Sequence, residues 1–186
     1  NTAEGLFLTN ACQVYKCRVG DFEDTKASVI GEYLPAKLGM DEAEVPLYMV
    51  LTDDYKGFLL FLFATGKVAR VPLASYETKQ NRRKLIGAYS DKAPLVWQQM
   101  FTEEEEIAIQ TSAGRLLLVG TAQIPQKTTR STAGVNVITL KKGQRIQSVK
   151  KMVDLELKDP HRYRVRSLPA AGALLRTDDL AEQITL

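Results

Sequence analysis

This 186-residue chain carries two cysteines and one histidine, a poverty that removes most redox and metal chemistry at once. Cys12 and Cys17 lie five apart on one short segment, too few for a disulfide framework and too close for an unstrained bridge. Tetrahedral zinc wants four ligands, and His161 stands far off beside Pro160. Both thiols are therefore expected to be free and buried or half-buried, with no metal or other cofactor. One histidine and no Gly-x-Ser-x-Gly elbow argue against a hydrolase, and no glycine-rich loop ends in Gly-Lys-Ser/Thr to make a P-loop. The longest apolar run, Phe58 to Ala64, has seven residues, whereas a membrane span needs about 20. It reads as a strand, and no membrane contact is expected. Near Asn1 there is no basic stretch followed by an apolar one. An opening Asn in place of Met reads as a fragment or a processed or trimmed chain, expected to be soluble and cytoplasmic.

Carboxylates are missing from one long stretch. Residues 107–151 carry eight basic side chains and no acidic one, although the net charge of the whole is only +3. Residues 1–55 hold ten acidic and four basic side chains, and residues 56–106 hold six and eight. Protein surfaces usually intersperse the two signs. A repeat-length segment without any carboxylate is an electrostatic footprint for a polyanion.

What the chain does have is an internal repeat. Asn10-Ala11-Cys12-Gln13-Val14 aligns with Ala64-Thr65-Gly66-Lys67-Val68 and with Ser112-Ala113-Gly114-Arg115-Leu116. Apolar runs precede each turn, at Leu6-Phe7-Leu8, Leu60-Phe61-Leu62 and Ile107-Ala108-Ile109. An apolar residue follows eight positions after Val14, Val68 and Leu116, at Phe22, Tyr76 and Ile124. A glycine closes each unit, at Gly31, Gly87 and Gly134. The turns are 54 and 48 residues apart, and a period near 50 signals an array of supersecondary units. Within the third unit, Ile107–Ser112, Arg115–Val119, Val135–Leu140 and Arg145–Val149 read as four strands. Glycine supplies the positive φ of the tight hairpin turn, so Cys12 predicts a different turn type in the first unit. Four strands per unit describes propeller blades, each needing neighbours to cover its faces. The expected fold is all-β: blades at 1–56, 57–104 and 105–151, with a tail at 152–186. Phe61, Phe63, Trp97 and Phe101 are expected in the inter-blade core.

The basic residues cluster in equivalent loops. Lys79, Arg82, Arg83 and Lys84 lie between Tyr76 and Gly87, and Lys127 and Arg130 lie between Ile124 and Gly134. Stacked blades would set these loops side by side along one rim. The first unit has Glu23, Asp24 and Lys26 there and is expected to contribute little. Hydroxyls of Thr128, Thr129, Ser131 and Thr132 mixed with Arg and Lys suit phosphate oxygens. No aromatics interleave as they do where single-stranded bases stack, which points to duplex DNA. Lys141, Lys142 and Arg145 form a second patch.

Leu6-Phe7-Leu8-Thr9-Asn10-Ala11-Cys12-Gln13-Val14-Tyr15-Lys16 resembles the repeat of the DNA-cleaving subunit of bacterial DNA gyrase and topoisomerase IV: an apolar strand, a Thr/Asn-x-Gly-Arg/Lys turn, then Val-Tyr-Arg/Lys. Thr65-Gly66-Lys67-Val68, Thr111-Ser112-Ala113-Gly114-Arg115 and Gly143-Gln144-Arg145-Ile146 are similar. The likeness runs over about residues 5–151. It implies a C-terminal β-pinwheel, an open propeller-like domain that binds and bends duplex DNA on its outer rim, in a bacterial cytoplasmic, nucleoid-associated enzyme. It adds Lys67 and Arg115, the basic residues of the turns, to the DNA-binding candidates. It also implies as partners the remainder of that polypeptide and the enzyme's ATPase subunit. The family usually carries five or six blades, so roughly half are expected here. Gln80-Asn81-Arg82-Arg83-Lys84-Leu85-Ile86-Gly87 is the nearest match to the gyrase wrapping box and lacks its glycine doublet, which tilts the resemblance toward topoisomerase IV.

No catalytic role is expected. The family cleaves with an Arg-Tyr pair in a separate winged-helix domain, and Arg162-Tyr163 only imitates it, reading as a surface strand. Asp53-Asp54 and Glu103–Glu106 read as acidic linkers between units, with the glutamate run expected to repel DNA. In the tail, Val153–Leu157 alternates like an edge strand, Ser167–Ala173 reads as loop, and Asp178–Leu186 as a helical turn or unstructured chain. The tail could cover the open side of the last blade. Two other expectations stand beside DNA binding: a propeller-like scaffold for an acidic protein partner, with an apolar patch beside the charges, and a homodimer closing a six-blade ring.

Overall fold

The computed structural model describes residues 2–79 and 82–180. Twelve strands are seen among them: β1 (Glu4–Thr9), β2 (Val14–Arg18), β3 (Pro46–Thr52), β4 (Phe58–Phe63), β5 (Lys67–Pro72), β6 (Lys84–Leu85), β7 (Leu95–Phe101), β8 (Glu106–Thr111), β9 (Arg115–Gly120), β10 (Val135–Asn136), β11 (Ile146–Lys151) and β12 (Ala173–Leu174). They form three four-stranded antiparallel sheets, ordered β3-β1-β2-β6, β10-β5-β4-β7 and β11-β8-β9-β12. One short helix, Leu34–Leu38, is the only α-helix among the described residues.

Three strands of each sheet come from one stretch of chain; the fourth comes from the next. β6 crosses back to pair with β2, β10 with β5, and β12 with β9. Val135 therefore joins the sheet before its own, whereas the sequence pattern places it with Ile107 and Arg115. A physical reason is at hand: β2, β5 and β9 would otherwise present open hydrogen-bonding edges, and each crossing strand closes one while stitching neighbouring sheets together. By the same logic the tail is not outside the repeat. Its residues 173–174 complete the third sheet, and Ser167–Ala173 is not all loop. Val153–Leu157 is no edge strand; a 3-10 turn occupies Met152–Asp154. Thr177–Asp179 forms another such turn, and positions 181–186 of the expected C-terminal segment lie outside the described residues.

β4 explains why the sheets stack. All six of its side chains are buried, as a continuous short apolar run demands. Leu59, Phe61 and Phe63 face Leu6, Leu8 and Val14 of the first sheet. Phe58, Leu60 and Leu62 face Ile107, Ile109 and Leu117 of the third. Phe101 is buried and half-buried Trp97 packs against the same core. A buried Leu or Phe contributes about 1.5–3 kcal/mol, so these two layers supply the main cohesion. Beyond the third sheet, Tyr163, Met152 and Leu155 of the tail cover Ala108, Leu116 and Leu118.

The first hairpin does not differ from the others. Cys12 has φ 54°, beside 86° at Gly66 and 70° at Gly114. Its N–H donates to the Thr9 carbonyl at 3.2 Å, as Gly66 donates to Phe63 at 2.9 Å and Gly114 to Thr111 at 3.1 Å. That left-handed conformation costs a cysteine roughly 1–2 kcal/mol, and the packed side chain against the first core offsets part of it. Both thiols are free and half-buried, and burial raises both pKa values.

Candidate nucleic-acid interface

In the second and third repeats the second strand is followed by a 3-10 turn, a loop and then the crossing strand, whereas the first repeat runs from its 3-10 turn through the helix Leu34–Leu38 to β3 of its own sheet. Turn Leu73–Tyr76 leads into loop 77–83, and turn Thr121–Gln123 leads into loop 124–134. The second of these loops is bonded to the turn that precedes the first. Lys127 N–H donates to the Arg70 carbonyl at 2.9 Å, and the Ser75 hydroxyl donates to the Thr128 carbonyl at 2.8 Å. Arg130 Nη1 donates to the Ser75 carbonyl at 3.0 Å. Loop 124–134 is thereby pinned to the turn from which loop 77–83 departs.

Lys79, Arg82, Arg83 and Lys127 are exposed. Among the described residues none of these four carries an ion pair. Gln80 and Asn81, also in the expected box, lie outside the described residues. Three other candidate cations are engaged inside the fold. Lys84 sits 3.3 Å from the Asp41 carboxylate and over the Tyr15 ring. Arg115 donates to the Gly172 carbonyl at 2.7 Å. Arg130 uses Nη1 on Ser75, and its buried Nε has no hydrogen-bond partner among the described residues. Exposed Lys141, Lys142 and Arg145 surround the turn before β11, which Ser112 fastens to the third hairpin by two bonds to Arg145, at 2.8 and 3.0 Å. Half-buried Lys67 opens β5 at the equivalent hairpin end of the middle sheet. Two cationic patches result, one along the two loops and one at the hairpin ends.

Charge clustering does not single out Lys16 and Arg70, yet they hold equivalent places two residues after Val14 and Val68. Lys16 Nζ donates to the Tyr76 carbonyl and Thr78 Oγ1, both at 3.2 Å. Arg70 Nη1 donates to the Thr121 carbonyl at 2.9 Å, and its guanidinium stacks on Phe58 at 3.8 Å. Each ties its sheet to the 3-10 turn of the next repeat. A basic residue at this fixed offset was the available signal.

The glutamate run does link one sheet to the next, between β7 and β8, but three of its carboxylates are engaged. Glu104 takes both outer nitrogens of Arg70, Glu105 pairs with Lys151 at 3.1 Å, and Glu106 takes Arg164. One strand start thus gathers cations from the middle sheet, the third sheet and the tail, because the sheets leave Arg70, Lys151 and Arg164 converging there. Arg162-Tyr163 is likewise not a surface strand: Tyr163 is buried in a 3-10 turn and its hydroxyl donates to Asp179.

Hydrogen bonding by Arg70 holds the Glu104 carboxyl below the usual range. Burial pushes Glu44 up, but hydrogen bonds from Thr9 and Tyr15 outweigh it and leave that carboxyl low as well. Carboxyls depressed in the fold stabilise it above their unfolded value near 4.5, and that contribution is lost as pH falls through the folded values. Urea unfolding followed by Trp97 fluorescence should show stability falling below about pH 4.5. Glu104→Gln should remove about 0.5–1 kcal/mol of that dependence, a figure discounted for its half-exposed side chain. An unchanged pH profile in Glu104→Gln would refute the assignment.

No family model and no curated protein sequence matches the chain. Solved structures do. The C-terminal domain of a DNA topoisomerase IV superposes with TM-score 0.76 at 18% identity over 96% of this chain. A DNA gyrase A C-terminal domain gives 0.65 at 16% over 93%, and the E. coli ParC C-terminal domain 0.54 at 11% over 86%. This chain covers 61%, 60% and 58% of those three domains, about three fifths of their length. At such identities the likeness establishes a shared fold, the β-pinwheel that the resemblance implied.

Proposed function

We propose that this chain is a non-catalytic module that holds duplex DNA along loops 77–83 and 124–134. The observation that carries this is the fastening of loop 124–134, with exposed Lys127, to Ser75 in the turn that leads into the segment bearing exposed Lys79, Arg82 and Arg83. Cations with no internal carboxylate are available to neutralise phosphates. Lys141, Lys142, Arg145 and Lys67 extend the contact at the hairpin ends, while Lys84, Arg115 and Arg130 act mainly by shaping the loops. In this reading the module belongs to the DNA-cleaving subunit of a type IIA topoisomerase. There it steers the DNA segment for strand passage, beside the catalytic part of the same polypeptide and its ATPase partner in the bacterial cytoplasm. The missing glycine doublet in the stretch Gln80 to Gly87 favours topoisomerase IV over gyrase; the superpositions do not separate the two, since the topoisomerase IV domains score both above and below the gyrase one.

A protein scaffold for an acidic partner is less well supported. It calls for an apolar patch beside the cations, whereas the exposed apolar strip Leu47, Met49 and Leu51 alternates along β3 within the acidic first segment. Fluorescence anisotropy on a 30-base-pair duplex tests the DNA reading. Four phosphate contacts predict a slope of log K against log salt of about −3.6. Binding should be weaker to a single strand of the same length, since no aromatic platform offers base stacking. A flat salt response would remove the DNA assignment.

A further inference from the structure

We propose that a hollow between the first sheet and loop 77–83 is a seat for one phosphate group, supplied by the backbone of the bound duplex. This rests on the DNA reading above and extends the contact onto the repeat whose own loop is acidic. The hollow has a volume of about 340 Å³ and is walled by Lys16 and Arg18 of β2 and by Lys79, Arg82 and Arg83 of the loop. Its position follows from the crossing strand: Lys16 N–H donates to the Arg83 carbonyl at 2.7 Å, so the loop is drawn against β2 as it enters β6.

Two carboxylates also face the hollow, and both are occupied. Glu4 accepts the Tyr55 hydroxyl and lies 3.7 Å from Lys16 Nζ. Asp21 turns toward the Arg18 backbone N–H at 3.4 Å. Lys16, its side chain only 7% exposed, is held by Tyr76, Thr78 and the face of the Tyr55 ring at 5.0 Å. It serves as a fixed positive floor. Arg18, Lys79, Arg82 and Arg83 carry no ion pair among the described residues. Five positive charges against two negative ones leave a local excess that a phosphodiester would relieve, and guanidinium forks match its paired oxygens. The space suits one phosphate with its sugar and is lined by polar groups rather than aromatics. It is therefore fitted to the backbone and not to a base.

The test compares the whole chain with its Arg18→Gln and Lys127→Gln variants on the same duplex across salt. Arg18 is exposed at a strand end, so the variant should fold, and thermal unfolding verifies it. Arg18→Gln should reduce the salt slope by about 0.9 and weaken binding about five- to tenfold near 0.1 M salt. Inorganic phosphate titrated into the free protein should shift the backbone amide resonances of Arg18 and Lys79 and leave Lys127 in place. If the wild-type chain binds duplex steeply while Arg18→Gln matches it, the seat is overturned and the DNA reading stands. If the wild-type chain fails to bind duplex, both fall; phosphate shifts at the hollow without duplex binding would mark a free-anion site and overturn the backbone as its source.

Discussion

Replacing Gly134 by alanine is expected to cost about 3–4 kcal/mol of stability, the left-handed conformation and the steric collision together, and to lower Tm by roughly 10 °C. Gly134 has φ 76°, and a Cβ there would fall inside the Val68 carbonyl and reach the Ala69 nitrogen. Those atoms are backbone of β5, the strand that β10 joins through Val135 and Val68. No side chain can swing aside, so the crossing strand must lift off and reopen the edge it closes. Gly114→Ala separates conformation from collision: its φ of 70° is equally left-handed, but nothing lies within 4 Å of its added Cβ. That variant should lose only the conformational cost, roughly 1–2 kcal/mol. Urea unfolding monitored by Trp97 checks both, and equal losses would remove the close-approach argument.

Gly134 also marks where sequence reading stops. Its place in the repeat is legible, but its counterparts are not Gly31 and Gly87. The structural equivalent is Gly172, φ 81°, which precedes β12 as Gly134 precedes β10. Val165 N–H donates to the Leu118 carbonyl as Lys127 N–H donates to Arg70, so residues 164–173 retrace 126–135. Ala171-Gly172-Ala173 echoing Ala133-Gly134-Val135 was the signal available. The hairpins are readable because six-residue strands with buried faces show periodicity. Two-residue crossing strands have none, and their pairing is decided by an edge in a different repeat. The same limit explains the cations. Counting charges finds the loops, but whether Arg130 points to solvent or to Ser75 depends on the 3-10 turn of a neighbouring unit.

Loops 77–83 and 124–134 lead to the second large effect. Changing Arg82, Arg83 and Lys127 together to glutamine should weaken duplex binding at least a hundredfold near 0.1 M salt and reduce the slope by about 2.7. Each is exposed and none is in an ion pair among the described residues, so the folded state should lose little. Surface substitutions of this kind fall within about 0.5 kcal/mol. Lys84→Gln provides the contrast: Lys84 lies against Asp41 and Tyr15, and hydrogen bonds to those groups raise its pKa. It should shift duplex affinity less than any one of the three. Exposed cations and internally paired ones thus make different predictions from the same formal charge. Should Lys84→Gln weaken binding as much as Arg83→Gln, or the triple variant keep the wild-type slope, the DNA would have to lie elsewhere, and the hairpin-end patch of Lys141, Lys142 and Arg145 would be the next surface to neutralise.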